Sequence, residues 1–394
     1  MKKNNTVVQS VAKPKKRSSD KSVDESPGKK AAKEAKGAAG PLTIGMDLGD
    51  KTSRYCVLNG SGEVSKEGSV PTSKKGMLER FGALARCRIA MEVGTHSPWV
   101  SRLLSQLGHE VIVANARQVK LISESSRKDD RLDARLLARL ARVDPALLRP
   151  VRHRSEQAQL HLLEIRARAA LIEVRTSLVN SARGLAKALG ERLPKCDADQ
   201  MGVEQMKSLP AGAQETLRPL LEEVASLTKQ IYVYNERIEQ IARQDYPETK
   251  LLQQVSGVGT LIALTFVLTV EDAGRRFERS RDVGCYVGLR PKRSDSGESQ
   301  PQLRITKEGD SYLRKMLVQG AHYILGKRAP DTDLKRWGLK LAAHGGKNAK
   351  KRAIVAVARK LAVLLHRLWV TGEVYEPLRH SNAALAGEKQ VAAA

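Results

Sequence analysis

The chain has 394 residues, with 69 Lys and Arg against 43 Asp and Glu, a net charge of +26 and a pI near 10.0. That balance predicts a polyanionic partner held by phosphate neutralisation, while 4% aromatic residues argue against base stacking as the main mode of contact. No apolar run approaches transmembrane length, no signal-peptide core opens the chain, and isolated Cys56, Cys87, Cys196 and Cys285 read as reduced thiols, so membrane, secreted and zinc-site classes are excluded.

Residues 1–40 are Lys, Ser, Ala, Gly and Pro with few large apolar side chains, and their 11 Lys and Arg against 4 Asp and Glu give a local charge of +7. This composition predicts a disordered basic arm that tethers nucleic acid nonspecifically. An α/β domain is expected over residues 41–150. Leu42 to Gly49 reads as a buried strand ending in Asp47, and Cys87 to Val93 as another ending in Glu92. The DxxD spacing puts Asp130 and Asp133 on one face of a helix. The order strand, strand, strand, helix, strand, helix, strand, helix, with acids on the first strand, the fourth strand and the last helix, is that of a ribonuclease H-like sheet. Hard oxygen donors brought from two strands and a helix suit Mg²⁺ and two-metal phosphodiester chemistry. The plainer reading is a turn-forming Asp in DLGD and ion pairing of the DxxD acids with Arg131 or Arg135.

DPALLRPVRHR breaks the chain at Pro145 and Pro150, and two long helices are predicted over 151–248. Leu160, Leu163, Ala167, Leu171, Val174, Leu178, Leu185 and Leu189 step along the first. Leu217, Leu220, Val224, Leu227, Ile231, Tyr234, Ile238 and Ile241 step along the second in a strict alternation of three and four. That period predicts a left-handed coiled coil and, because a lone hairpin covers too little of two such seams, a homo-oligomer, either a dimer or a tetramer. Arg166, Arg168, Arg175, Arg183 and Lys187 fall on other faces, free to meet nucleic acid or to solvate the helix.

The remainder, 249–378, opens with LLQQVSGVGTLIALTFVL. Two apolar helices joined by G-V-G form either a helix-hairpin-helix-like phosphate contact or a structural corner. Further on, Ser294 and Ser296 lie in a polar loop beside Gly297 and among Lys292, Arg293, Arg304 and Lys307, cations suited to a phosphodiester backbone. A serine hydroxyl needs activation to act as a nucleophile, and a surface turn is the plainer reading of this loop. Residues 379–394 are expected to fray.

Taken together, the DLG aspartate, the EVGTHS glutamate, the KxDRxDARLLA helix, the VxGVGxxxA turn, RFxxxRDVxxYxGLxPxxxxSG, ITKxGDxxLRxxL and AxxAVARKLAxLLHxLW resemble the transposases of the insertion-sequence one-ten type. These are the DEDD transposases regarded as bridge-RNA-guided recombinases, and the resemblance runs from about residue 42 to 378. It implies an α/β plus all-α chain: a RuvC-like domain, a coiled-coil insertion, and a mainly helical transposase domain carrying a catalytic serine. It further implies a tetrad of Asp47, Glu92, Asp130 and Asp133 binding Mg²⁺, with Ser296 as nucleophile. Donor and target DNA, a structured guide RNA and a nucleoid-associated place in a prokaryotic cytoplasm come with it. The chain departs from the family at Asp129, where Thr is usual, and has a second hydroxyl at Ser294. Two other functions fit the residues: a metal-dependent nuclease of the Holliday-junction resolvase kind, which needs the acids but not the serine, and a noncatalytic nucleic-acid-binding scaffold.

Overall fold

The computed structural model describes residues 41–115, 130–271, 276–299, 301, 303–379 and 381. The expected basic arm, Asp129, the side chain of Asp130 and nearly all of the C-terminal tail lie outside the described residues. The chain divides into two compact units, with the boundary between His153 and Arg154.

The first unit is a five-stranded mixed sheet. Its strands are β1 (Thr43–Asp47), β2 (Thr52–Leu58), β3 (Val64–Pro71), β4 (Arg88–Glu92) and β5 (Glu110–Ala114), in the spatial order β3-β2-β1-β4-β5. The first three pair antiparallel, while β1 with β4 and β4 with β5 pair parallel. Helix α1 (Lys74–Phe81) precedes β4, α2 (Ser97–Gln106) connects β4 to β5, and α3 (Asp130–Val143) follows β5. This is the element order read from the sequence, and it is consistent with a ribonuclease H-like domain.

Alternation along the strands sorts the sheet into two faces. Ile44, Met46, Tyr55, Val57, Ile89, Met91 and Val113 pack under α1 and α2 against Met77, Phe81, Val100 and Leu104. Residues of the opposite parity, Cys56, Leu58, Ala90, Ile112 and Ala114, pack against Ala134, Leu137, Ala138 and Ala141 of α3. Both faces are therefore buried, which explains why β1 reads as a continuous apolar run. Gly45 faces α3, and a Cβ built there would lie 1.9 Å from the Ala134 carbonyl oxygen and 2.4 Å from the Ala138 nitrogen. Only a glycine lets the helix backbone rest on the strand at this distance.

The second unit is helical. Helix α4 (Glu156–Ala188) and α5 (Ala211–Asp245) form an antiparallel hairpin. Val179, Ala182 and Ala186 meet Leu217, Leu221 and Val224 at one end, and Ala158, Leu162 and Ile165 meet Ile238 and Ala242 at the other. Of the eight positions in the strict period of the second helix, Leu217, Val224, Leu227, Ile231 and Ile238 are buried within one chain, and Leu220, Tyr234 and Ile241 are half-buried. The expected seam of the first helix is corrected. Leu160, Leu163, Val174, Leu185 and Leu189 are 51–61% exposed, Ala167, Leu171 and Leu178 are half-buried, and the buried stripe consists of Ala158, Leu162, Ile165, Val179, Ala182 and Ala186, half of them alanine. Alanines allow closer helix approach, so the tight packing chose them over the leucines that the three-four count favoured. The basic residues of α4 are also largely tied within the chain. Arg168 donates to Asn235, Arg175 to Thr228 and Arg183 to the Cys196 carbonyl, while Arg166 meets Asp310.

After α6 (Thr249–Leu252) and α7 (Thr260–Val270) come α8 (Ser280–Tyr286), α9 (Ser311–Ile324), α10 (Asp333–Ala343) and α11 (Ala349–Thr371). They share a core built on Phe266, Val283, Leu313, Leu317, Val357, Leu361 and Leu365. The G-V-G turn between α6 and α7 is a helix corner at its first glycine. Gly257 has φ +87° and packs on Gly320 of α9, where an added Cβ would lie 3.1 Å from a backbone oxygen. Gly259 has open space around it.

Candidate active site

Hydrogen bonds from three arginines orient α3 on the sheet. Arg88, at the start of β4, donates to the Ala141 carbonyl (3.0 Å), and Arg142 donates to the Asn59 and Gly60 carbonyls just past the end of β2. Midway along, Arg135 binds Glu67 of β3 (2.8 Å), which stands in register with Cys56 and Gly45. The last turn of α3 therefore lies at the beginning of β1 and β4, and its first turn lies at their ends. Met46 pairs with Met91, so Asp47 and Glu92 are the next residues on adjacent parallel strands. By parity with Gly45 and Ala90 they belong to the face that α3 covers. Helix positions 130 and 133 continue the buried stripe of 134, 137, 138 and 141 by one turn. Asp47, Glu92 and the backbone positions of Asp130 and Asp133 thus converge on one end of the sheet. Asp47, Glu92 and Asp133 are each partly buried.

The loops that follow the two strands are held tightly. Thr72 donates to the Gly49 carbonyl (2.9 Å) in the DLGD turn, where a Cβ on Gly49 would collide with the Thr52 carbonyl at 2.3 Å. After β4, the fully buried Ser97 hydroxyl accepts from the Gly94 N–H (2.9 Å) and bonds His153 Nε2 (2.9 Å). His96 joins the loops, with Nε2 3.5 Å from Asp50 and its ring edge-on to Trp99. Sequence reasoning did not single out His96. Its signal was there, four residues beyond Glu92 in EVGTHS.

Among the described residues, no three His, Cys, Asp or Glu side chains close on one point as metal ligands. The donor set is nonetheless all carboxylate, which fits a hard divalent cation, and a DEDD-type domain implies dependence on a divalent metal. Cys87, the one buried thiol near α1, is no alternative ligand or nucleophile. Burial pushes its pKa up to about 11, and its Sγ sits 3.4 Å from His109.

Positioning of α3 provides a test that changes no ligand. Gly45→Ala forces a methyl group into the helix backbone, an overpacking expected to destabilise the first unit by about 1–3 kcal/mol and to reduce DNA cleavage by shifting positions 130 and 133. Gly184→Ala, where an added Cβ meets nothing within 4 Å, is the control. Thermal melts and cleavage assays on both check this, and a fully active, wild-type-stable Gly45→Ala protein would disprove the close approach.

In the second unit, the segment Arg290–Lys307 folds back on itself. Lys292 N–H donates to the Arg304 carbonyl, Thr306 N–H to the Arg290 carbonyl, and Pro291 bridges Ile305. At its tip Ser296 and Ser299 exchange both backbone hydrogen bonds, at 3.2 and 3.0 Å, around a two-residue turn whose first member, Gly297, has φ +53°. That is a tight hairpin turn in which the glycine supplies the left-handed conformation. Ser294, Ser296, Lys292, Arg293, Arg304 and Lys307 are all exposed. Ser299, opposite Ser296, is a third hydroxyl at the tip that sequence spacing did not single out.

A family model described as a transposase matches residues 44–189, and one described as transposase IS116/IS110/IS902 family matches 249–335. A probable family 20 transposase of Pseudomonas aeruginosa is 30% identical over 305 residues, covering 75% of this chain and 88% of its own length. The transposase for insertion sequence element IS1111A of Coxiella burnetii is 28% identical over 345 residues, covering 84% of this chain and 90% of its own. The transposase for insertion sequence element IS1328 of Yersinia enterocolitica is 30% identical over 247 residues, with coverages of 60% and 70%. Positions 47, 92, 130 and 133 at one end of the sheet and the serine hairpin fall inside the two matched segments, and the chain belongs to the IS110-type family of insertion-sequence transposases.

Proposed function

We propose that this transposase is a recombinase that excises and inserts its own mobile element through a covalent phosphoserine intermediate. The observation that carries the reading is the end-on convergence of Asp47 and Glu92, on adjacent parallel strands, with the first turn of α3 bearing Asp130 and Asp133. These four carboxylates would hold Mg²⁺, which when bound polarises the scissile phosphate and steadies the leaving oxygen. Ser296 would supply the attacking oxygen. A bond forms between its Oγ and phosphorus, the bond from phosphorus to the deoxyribose oxygen breaks, and the serine proton balances the alkoxide that leaves. Because one phosphodiester replaces another, the reverse attack by a new strand end rejoins DNA without ATP. Exposure of Ser296 on a narrow hairpin tip, with Lys292, Arg293, Arg304 and Lys307 along its flanks, supports delivery of the hydroxyl to a DNA backbone.

A RuvC-like domain over 41–150, a coiled-coil insertion over 151–248 and a transposase domain over 249–378 are part of this reading. So are a dimer or tetramer and a nucleoid-associated place in a prokaryotic cytoplasm. The apolar residues on the outer side of α4, Leu160, Leu163, Val174 and Leu185, support association, since an exposed row of this length is unusual on a monomer. No described helix is long and apolar enough to cross a membrane.

Specificity is the remaining part. An element-encoded structured RNA that pairs with donor and target DNA would relieve the side chains of reading sequence. Sequencing the RNA that copurifies with the protein, then assaying recombination with and without it, tests this. Recombination is expected only when an RNA complementary to both sites is present. Full activity after complete RNA removal would refute the guide.

A further inference from the structure

The second unit contains a groove of about 1700 Å³ between the serine hairpin, α10 and α11. Its floor is apolar, made of Leu334, Leu341, Val355, Val363 and Leu364. Among the described residues lining it, Lys and Arg outnumber Asp and Glu by ten to three, so the rim carries a strong positive charge. Some of those cations are already engaged: Arg336 with Asp331, and Arg367 and Arg379 with Glu373. Lys340 and Lys351 are exposed and have no acidic partner among the described residues, and neither does Arg304 or Lys307 on the hairpin wall. Lys360 lies 3.8 Å above the Trp337 ring and walls the groove from the α11 side.

Apolar floor and cationic rim ask different things of a ligand. Phosphates satisfy the rim. The floor needs apolar faces, which a duplex keeps stacked inside and an unpaired strand exposes. Arg304 and Lys307 belong to the same hairpin that carries Ser296, so a strand lying in the groove continues toward the serine.

We propose that this groove binds a single-stranded segment of DNA and leads it to the Ser296 hairpin. The assignment of the strand as DNA rests on the recombinase reading of that serine. Strand binding by the groove does not require the serine to react, and the two are measured separately. Full-length protein is titrated with fluorescently labelled oligothymidylate, with a DNA duplex and with oligouridylate, each across a salt series, and anisotropy is read. Lys340→Glu/Lys351→Glu is expected to weaken oligothymidylate binding by at least about tenfold, and to reduce the slope of log K against log salt by about 1.4, roughly 0.7 for each phosphate of a single strand that the two lysines neutralise. Duplex affinity should change by less than about twofold. The milder Lys340→Gln/Lys351→Gln variant should show a smaller loss of the same kind, which guards against misfolding. Lys229→Glu/Lys250→Glu, exposed on α5 and α6, should alter nothing. Unchanged oligothymidylate binding, an equal loss for duplex, or a loss confined to oligouridylate would each overturn the proposal. Ser296→Ala removes no charge and should bind oligothymidylate as the wild type does. Intact groove binding without any covalent DNA adduct in the wild type would therefore sink the serine reading alone.

Discussion

Ser296→Ala is expected to abolish a covalent protein–DNA species that wild-type protein accumulates when the reaction is stalled, as seen on denaturing gels. Strand joining should fall on the order of 10³-fold or more, the scale set by removing an attacking nucleophile. Ser294→Ala should leave the adduct intact. The geometry explains why the two serines are expected to differ. Ser296 is fixed by its reciprocal backbone bonds with Ser299 and by the left-handed Gly297 that closes the turn, whereas Ser294 lies two residues back along the hairpin arm. Ser299→Ala is the needed companion, since it holds the other hydroxyl at the tip. An adduct that survives Ser296→Ala but vanishes in Ser294→Ala or Ser299→Ala would move the nucleophile. Joining at full rate in all three would leave metal-directed hydrolysis and a nuclease. The adduct should also decline as salt rises, because a chain of charge +26 holds its substrate through phosphates.

Asp47→Asn and Glu92→Gln should each lower DNA cleavage by on the order of 10²- to 10³-fold, matching the several kcal/mol of charge stabilisation that a bound divalent ion contributes. Neither should unfold the protein. Both residues sit at strand ends beyond the buried apolar positions, and replacing one carboxylate by an amide relieves repulsion among the acids that converge there. Melting temperatures at or above wild type, together with lost cleavage, are the expected pair of results. Either variant recombining DNA at the wild-type rate would remove that residue from the site. Asp133→Asn belongs in the same series, and so does Asp129→Asn as a check on the acid standing where Thr is usual.

The local elements of the first unit were open to reading because each is dictated by neighbours in sequence. Continuous apolar runs mark strands buried on both faces, and the DxxD acids sit three apart on a helix whatever that helix packs against. The acids at the strand ends could be named for the same reason. Their convergence could not. It depends on the parallel register of β1 with β4 and on α3 lying antiparallel across them, which the Arg88–Ala141 and Arg135–Glu67 contacts and the bare Gly45 decide over separations of tens of residues.

In the second unit the sequence determined that two long helices exist and that the second has one strict apolar seam. Which stripe of the first helix would face it was decided only by packing. Ala158, Ala182 and Ala186 let two backbones approach, and dispersion and area gained across a close interface outweighed the larger side chains of Leu160, Leu163 and Leu185 left outside. The same holds for the cations. Composition alone determined a polyanionic partner, whereas the joining of Arg304 and Lys307 to Lys340 and Lys351 in one groove needed the fold, because charge counts carry no direction and only tertiary structure brings distant residues onto one surface.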